Sequence, residues 1–443
     1  MASREELAHL LRRATFGPRV EEVDAAEKAG VAATVDALLA PAAFDSRSDA
    51  GATRTPPPNQ ADPVAALGRN PGREQRLTAQ KQQREQVAAV ELWWLDRMVA
   101  ADHQVHEKLT FFWHGHWATS VRKVKFPLVM LGQQQTMHTL GPGDFAAFAH
   151  AMVKDPALIY WLDGHKNTAQ APNENLAREL MELFTLGIGN YTEADVKAGA
   201  RALTGWAVDR ARNVAVINEK RRDTGEKTIL GRTGTFGTDE FVDLLLAQEA
   251  NAKFVTARLW YRYASPEPIP DDTHGRLVAA YGPGRDIATT LRAVFTDPAF
   301  TGTRGHLVKQ PVEWAVGAMR QVGVHPGELA TTEQQQLVRA LRESGQVPLE
   351  PPSVGGWPAG SAWLTTAGTQ WRLRTADLLA AKASPAVLDR LTATPANQRP
   401  DALAHVLSVE RFTDRTRAVL ADAAGQPRRM LALALASPEY AVH

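Results

Sequence analysis

Apolar residues recur at helical spacing along most of the chain. In residues 4–14, Leu7, Leu10, Leu11 and Ala14 share one face, and Gly17-Pro18 stops the helix. The same spacing predicts helices at about 19–40, 75–101, 104–114, 125–139, 143–154, 174–186 and 192–204. It resumes at about 238–248, 252–264, 286–297, 309–322, 332–343, 372–383, 399–408 and 428–437. Strand signals are confined to Val214-Ala-Val-Ile217 and Thr228-Ile-Leu230, which would pair as a hairpin through Asp223-Thr-Gly225. The pattern predicts a mainly α fold: a single large multi-helix domain over 1–443, with one small β-hairpin excursion near 206–235. Residues 384–443 read as a C-terminal helical extension packing on the same core.

Residues 44–73 break the pattern. Pro56-Pro57-Pro58, Gly68, Pro71 and Gly72 interrupt a stretch too poor in apolar residues to hold a core of its own. It reads as an irregular loop or flap.

Composition narrows the function classes. Lys and Arg number 50 against 49 Asp and Glu, a net charge of +1, so the chain lacks the basic field that coating nucleic acid requires. Docking on anionic membranes is disfavoured for the same reason. No apolar run approaches spanning length, and the charged, amphipathic start shows no signal peptide. The expected location is the cytoplasm, with export beside a partner, or after removal of a leader, left open. There are no cysteines, which excludes disulfides, thiolate metal sites and Cys nucleophiles.

Two segments carry candidate chemistry. In Glu107-Lys-Leu-Thr-Phe-Phe-Trp-His114-Gly115-His116-Trp117, Gly115 is a plausible helix end that would let His114 and His116 converge on one metal ion. In Asn173-Glu174-Asn175-Leu-Ala-Arg178-Glu179-Leu-Met-Glu182-Leu-Phe-Thr-Leu-Gly187, Asn173 caps and Gly187 stops a helix. At about 100° per residue, Glu174, Asn175, Arg178, Glu179 and Glu182 fall within an arc of about 140°. Crowded carboxylates raise one another's pKa while Arg178 lowers its neighbours', which separates an acid from a base. A solvated helix face or a salt-bridge ladder around Arg178 gives the same pattern.

Weaker signals surround these segments. Asp163, His165 and Asn167 lie in a loop that could reach the same cleft or form only a local turn. Thr192-x-x-Asp195 looks like a capping box. Trp113, Trp117, Trp206, Trp357 and Trp363 are core residues by default, yet together could line a cleft for sugar rings. No P-loop, dinucleotide fingerprint, zinc-protease motif or nucleophile elbow is present, so no nucleotide cofactor is expected.

At these segments the sequence resembles the bacterial family known as domain of unknown function 1800. The resemblance rests on Leu10-Leu-Arg-Arg-Ala-Thr-Phe-Gly17, Phe112-Trp-His-Gly-His116, 172–187, Arg201-Ala-Leu-Thr-Gly-Trp206, Lys309-x-Pro-Val-Glu313 and Pro351-Pro-Ser-Val-Gly-Gly-Trp357. It implies one integrated domain and names no reaction. It also implies that His114, His116, Glu174, Asn175, Arg178, Glu179 and Glu182 form a site, as the polar members of its motifs.

Three functions are compatible with these residues. The leading one is a hydrolase-type enzyme using Glu174, Glu179 and Glu182 with His114, His116 and Arg178, acting on a small molecule or saccharide held by Asn175, Asp163 and the tryptophans. The second is a Zn-, Mn- or Fe-dependent hydrolase or oxygenase with one divalent ion on His114, His116, Glu179 and Glu182. The third is a non-catalytic helical binding or scaffold protein. No protein partner is indicated.

Overall fold

A computed structural model describes residues 3–45, 47–58, 61–67 and 70–443. The fold is mainly α, with 24 α-helices among the described residues and two small two-stranded antiparallel sheets.

Local rules account for most helix ends. Ser3 and Glu6 form a capping box that opens the Arg4–Ala14 helix. The predicted helix at 19–40 divides into Val20–Ala29 and Val31–Leu38, because Gly30 between them takes φ +84°. Helices not foreseen in the sequence include Asp271–Tyr281, Pro385–Ala393, Asp414–Asp422 and the shorter Pro156–Trp161.

The β excursion lies where expected, but its pairing differs. Val214–Ile217 pairs with Trp206–Asp209, and Lys227–Ile229 pairs with Arg232–Gly234. The nearer partner wins in each case. Leu230 and Gly231, both at positive φ, make the tight two-residue turn that suits the twist of a hairpin.

The Gln104–His116 helix positions the candidate site. Every residue in it except Gly115 is buried, the polar Gln104, His106, Glu107, Lys108, His114 and His116 included. Leu109, Phe112 and Trp113 face one hydrophobic cluster, with Phe145, Phe148, Met181 and Phe184. Phe111 faces a second, with Trp94, Trp314 and Trp371. Buried charge ties three helices together behind it. Glu313 of Pro311–Val322 lies 2.9 Å from Lys108 and 2.9 Å from Arg262 of Glu249–Tyr263.

The described parts of 44–73 are irregular but anchored. Asp49 accepts from the backbone N–H groups of Ala52, Asp102 and His103. Asp62 accepts from Val64 N–H and pairs with Arg210 at 2.8 Å. Val64, Leu67 and Pro71 wall a cavity of about 1,100 Å³ against Arg84 and Phe126. None of the predicted site residues lines it. Gly68 lies outside the described residues.

Candidate functional site

His114 and His116 do not converge. The helix continues through Gly115 to His116, so residues two apart point about 200° from each other. His114 faces Trp94 and Trp357, with ring centroids at 5.1 and 5.3 Å. Its Nε2 accepts the Leu349 N–H at 3.0 Å. That leaves the ring proton on Nδ1. His116 faces the other way, and its Nε2 lies 3.0 Å from the Phe184 carbonyl oxygen. A carbonyl only accepts, so Nε2 carries the proton and Nδ1 is the free acceptor. That Nδ1 is buried and has no protein partner among the described residues. Burial pushes both rings down to about 3, so both are neutral at pH 7. Among the described residues no group of three or more His, Asp or Glu is arranged to hold a metal ion. The set His114, His116, Glu179 and Glu182 is therefore not assembled.

The carboxylate helix is not one α-helix. It runs as α from Asn175–Glu179 and then widens into a π-helical turn, Leu180–Thr185. Leu186 N–H reaches back five residues to the Met181 carbonyl at 2.9 Å. The Thr185 hydroxyl does the same to Leu180 at 2.5 Å. The wide turn frees two carbonyls, and other helices satisfy them. His116 donates to Phe184, and Asn251 Nδ2 donates to Thr185 at 3.0 Å. Asn251 is in turn fixed by the Tyr281 hydroxyl at 2.9 Å. Isolated π turns of this kind are uncommon and frequent at functional sites.

The wide turn splits the predicted stripe. Arg178 pairs with Glu174 at 2.9 Å and with Glu193 at 2.6 Å. This is a surface ion-pair ladder, and Asn175 beside it is exposed. Glu182 is held apart from it, accepting from the Tyr191 hydroxyl at 2.7 Å. Glu179 is half-buried between the two. Burial and the charge of Glu182 raise its carboxyl above the ordinary value, against the pull of Arg178.

Glu182 and His116 both line a cavity of about 500 Å³, together with Gly187, Lys253, Phe254, Arg258 and Gly355. Of the six predicted catalytic residues, only these two line it. The 351–357 loop lines the cavity with Val354 and Gly355 and packs against the backbone of the central helix, Gln104–His116. Gly356 takes φ +79°, and a Cβ there would lie 2.3 Å from the Gly115 carbonyl oxygen, so only glycine fits. His114 helps to set this loop by binding Leu349, itself at φ +68°.

The predicted substrate-binding residues lie elsewhere. Trp113 and Trp117 are fully buried in the first cluster, and Trp113 donates to the Gly141 carbonyl at 3.0 Å. Trp206 is buried against Thr238, and Trp363 is buried too. Trp357 is half-buried, stacked on Phe111 at 5.6 Å. Trp113, Trp117, Trp206 and Trp363 are packing groups, and Trp357 lines a separate small cavity, so no tryptophan-lined sugar cleft forms around the carboxylates. Asp163 pairs with Lys123 and Lys166, each at 2.8 Å. Asn167 is a buried clamp, donating to the Ala200 carbonyl and accepting from Asn173 N–H. Thr192 and Asp195 form the expected capping box.

Two charged residues of the cavity wall were not foreseen. Lys253 and Arg258 sit on the Glu249–Tyr263 helix. The signal for Arg258 was a charge on an apolar stripe, three and four residues after Val255 and Phe254.

Among families, the model described as protein of unknown function (DUF1800) matches residues 9–442. The chain belongs to that family. No curated protein and no solved structure matches it.

Proposed function

We propose that this member of the DUF1800 family is an enzyme of the hydrolase type, acting by acid–base chemistry in the cavity beside the π-helical turn. The observation that carries the reading is that Glu182 and His116, from two different family motifs, meet at one cavity of about 500 Å³. That volume suits a small molecule. Glu182 is the carboxylate at the cavity and serves as general base, taking a proton from the attacking water. The neutral His116 offers Nδ1 as a hydrogen-bond acceptor that orients water or substrate. Glu179, whose carboxyl is raised by burial and by Glu182, keeps the pair from ionising together easily. The proton taken up at Glu182 is returned to the leaving group, which balances the hydrolysis.

A chromogenic panel of esters, glycosides and phosphodiesters, run on wild type and on Glu182→Gln, tests this. The expected result is turnover of at least one class by wild type, reduced by about 100-fold or more in the variant. A Glu182→Gln protein as active as wild type, or a wild type inert to every class, contradicts it.

A further inference from the structure

Arginines drawn into this protein are given acceptors. Arg320 donates to the carbonyls of Gly17, Val99 and Ala101 and to Glu22. Arg97 donates to Glu107, Arg372 to the Trp363 carbonyl and Arg262 to Glu313. Arg258 differs. Its Nε is buried without a partner among the described residues, and where the same is true of Arg12, Arg13, Arg210, Arg304 and Arg372, each of those reaches a carbonyl or carboxylate through another guanidinium nitrogen. No carboxylate of the described residues lies within ion-pair distance of its guanidinium, whereas Arg262 one turn later is paired with Glu313 at 2.9 Å. Arg258 as a whole is half-buried, so the cost falls on Nε, a donor taken from water and given no acceptor. A fold tolerates that cost where a ligand supplies the partner.

The position of Arg258 says where the ligand lies. Its side chain walls the 500 Å³ cavity that holds Glu182 and His116. It also walls a second cavity of about 230 Å³, lined by Phe111, Trp357, Gly355 and Arg262. Arg258 and Gly355 are common to both. Lys253 adds a second positive charge to the wall of the larger cavity, and Glu182 is the one carboxylate lining either. A planar guanidinium with free N–H groups matches the paired oxygens of a carboxylate or phosphate.

We propose that Arg258 is the anion-binding residue of this site, and that the substrate carries a carboxylate or phosphate group which it holds where the two cavities meet. The assignment of that ligand as substrate rests on the hydrolytic reading above. The anion anchors one end of the molecule on Arg258 and leaves the remainder in the larger cavity beside Glu182. The half-buried Trp357, with the buried Phe111 behind it, gives the smaller cavity an apolar face for a substituent next to the anion.

Calorimetric titration of the full chain with inorganic phosphate and, separately, with succinate tests the proposal and tells the two anions apart. Wild type is expected to bind one of them at millimolar concentration. Arg258→Gln should weaken binding by about tenfold or more, and Glu182→Gln should leave it in place. If Arg258→Gln does not fold, Arg258→Lys keeps the charge, removes the planar fork and should still weaken binding severalfold. Binding of neither anion to wild type overturns the proposal, as does unchanged binding in a folded Arg258 variant. Loss of binding in the Arg258 variants, with full turnover in Glu182→Gln, would remove the hydrolytic reading while leaving the anion site standing.

Discussion

Single residues in this protein are defined by what they face, and spacing alone gave that for some and not for others. His114 and His116 were legible as chemically notable residues. Their divergence was not, because it depends on the helix running through Gly115. Arg258 showed itself only as a charge on an apolar stripe, since its lack of a partner is a property of the packed molecule. Burial depresses seven histidines, among them His9 to about 3, His106 to about 4, His114 and His116 to about 3, and His443 well below the ordinary value. The unfolded chain protonates them near 6.5, so between about pH 4 and 6.5 it binds more protons than the fold, and stability falls as pH falls. Asp155, raised to about 7 by burial, and Glu91, also raised, act the opposite way. The depressed histidines outnumber the raised carboxyls, so the net slope follows the histidines. Urea unfolding should therefore show a marked loss of stability from pH 7 to pH 5, and a slope smaller by about one proton in His116→Gln. A stability that is flat or rises on acidification would contradict this.

At the scale of elements, helices with a clear apolar stripe and a capping signal were readable, as Arg4–Ala14 and Glu193–Ala202 show. The carboxylate helix was readable as an element and misread in its phase. An angle of about 100° per residue assumes α geometry throughout, and the π turn at Leu180–Thr185 breaks it. That turn persists because His116 and Asn251, distant in sequence, donate to its unpaired carbonyls. The strand pairing failed for a related reason: the sequence marks strands, while turn geometry selects partners. The 351–357 loop and the central helix touch backbone to backbone at Gly356 and Gly115. Gly356→Ala forces a strained φ and a clash together and should cost at least about 2 kcal/mol. Chemical denaturation measures it; a loss under about 0.5 kcal/mol would mean that the loop shifts freely, and that the cavity wall is not fixed by this contact.

Across the whole molecule, the central helix lies between two hydrophobic clusters and turns one motif histidine toward each. One supports the loop, and the other supports the π turn and lines the cavity. Four stretches that the sequence singled out, at 112–116, 172–187, 309–313 and 351–357, pack around this helix or the cavity beside it. Their convergence was legible as an expectation of one site. Its membership was not, because only the packed chain separates the Glu174–Arg178–Glu193 ladder from Glu182. Glu182 shares the cavity with His116, and its charge raises the neighbouring Glu179 carboxyl, which therefore reports on it. The direct measurement is an NMR titration of the Glu179 carboxyl in wild type and in Glu182→Gln. The account predicts titration above the ordinary value of 4.5 in wild type and a fall toward it in the variant. A Glu179 carboxyl that titrates in the ordinary range and does not move when Glu182 is neutralised would contradict it.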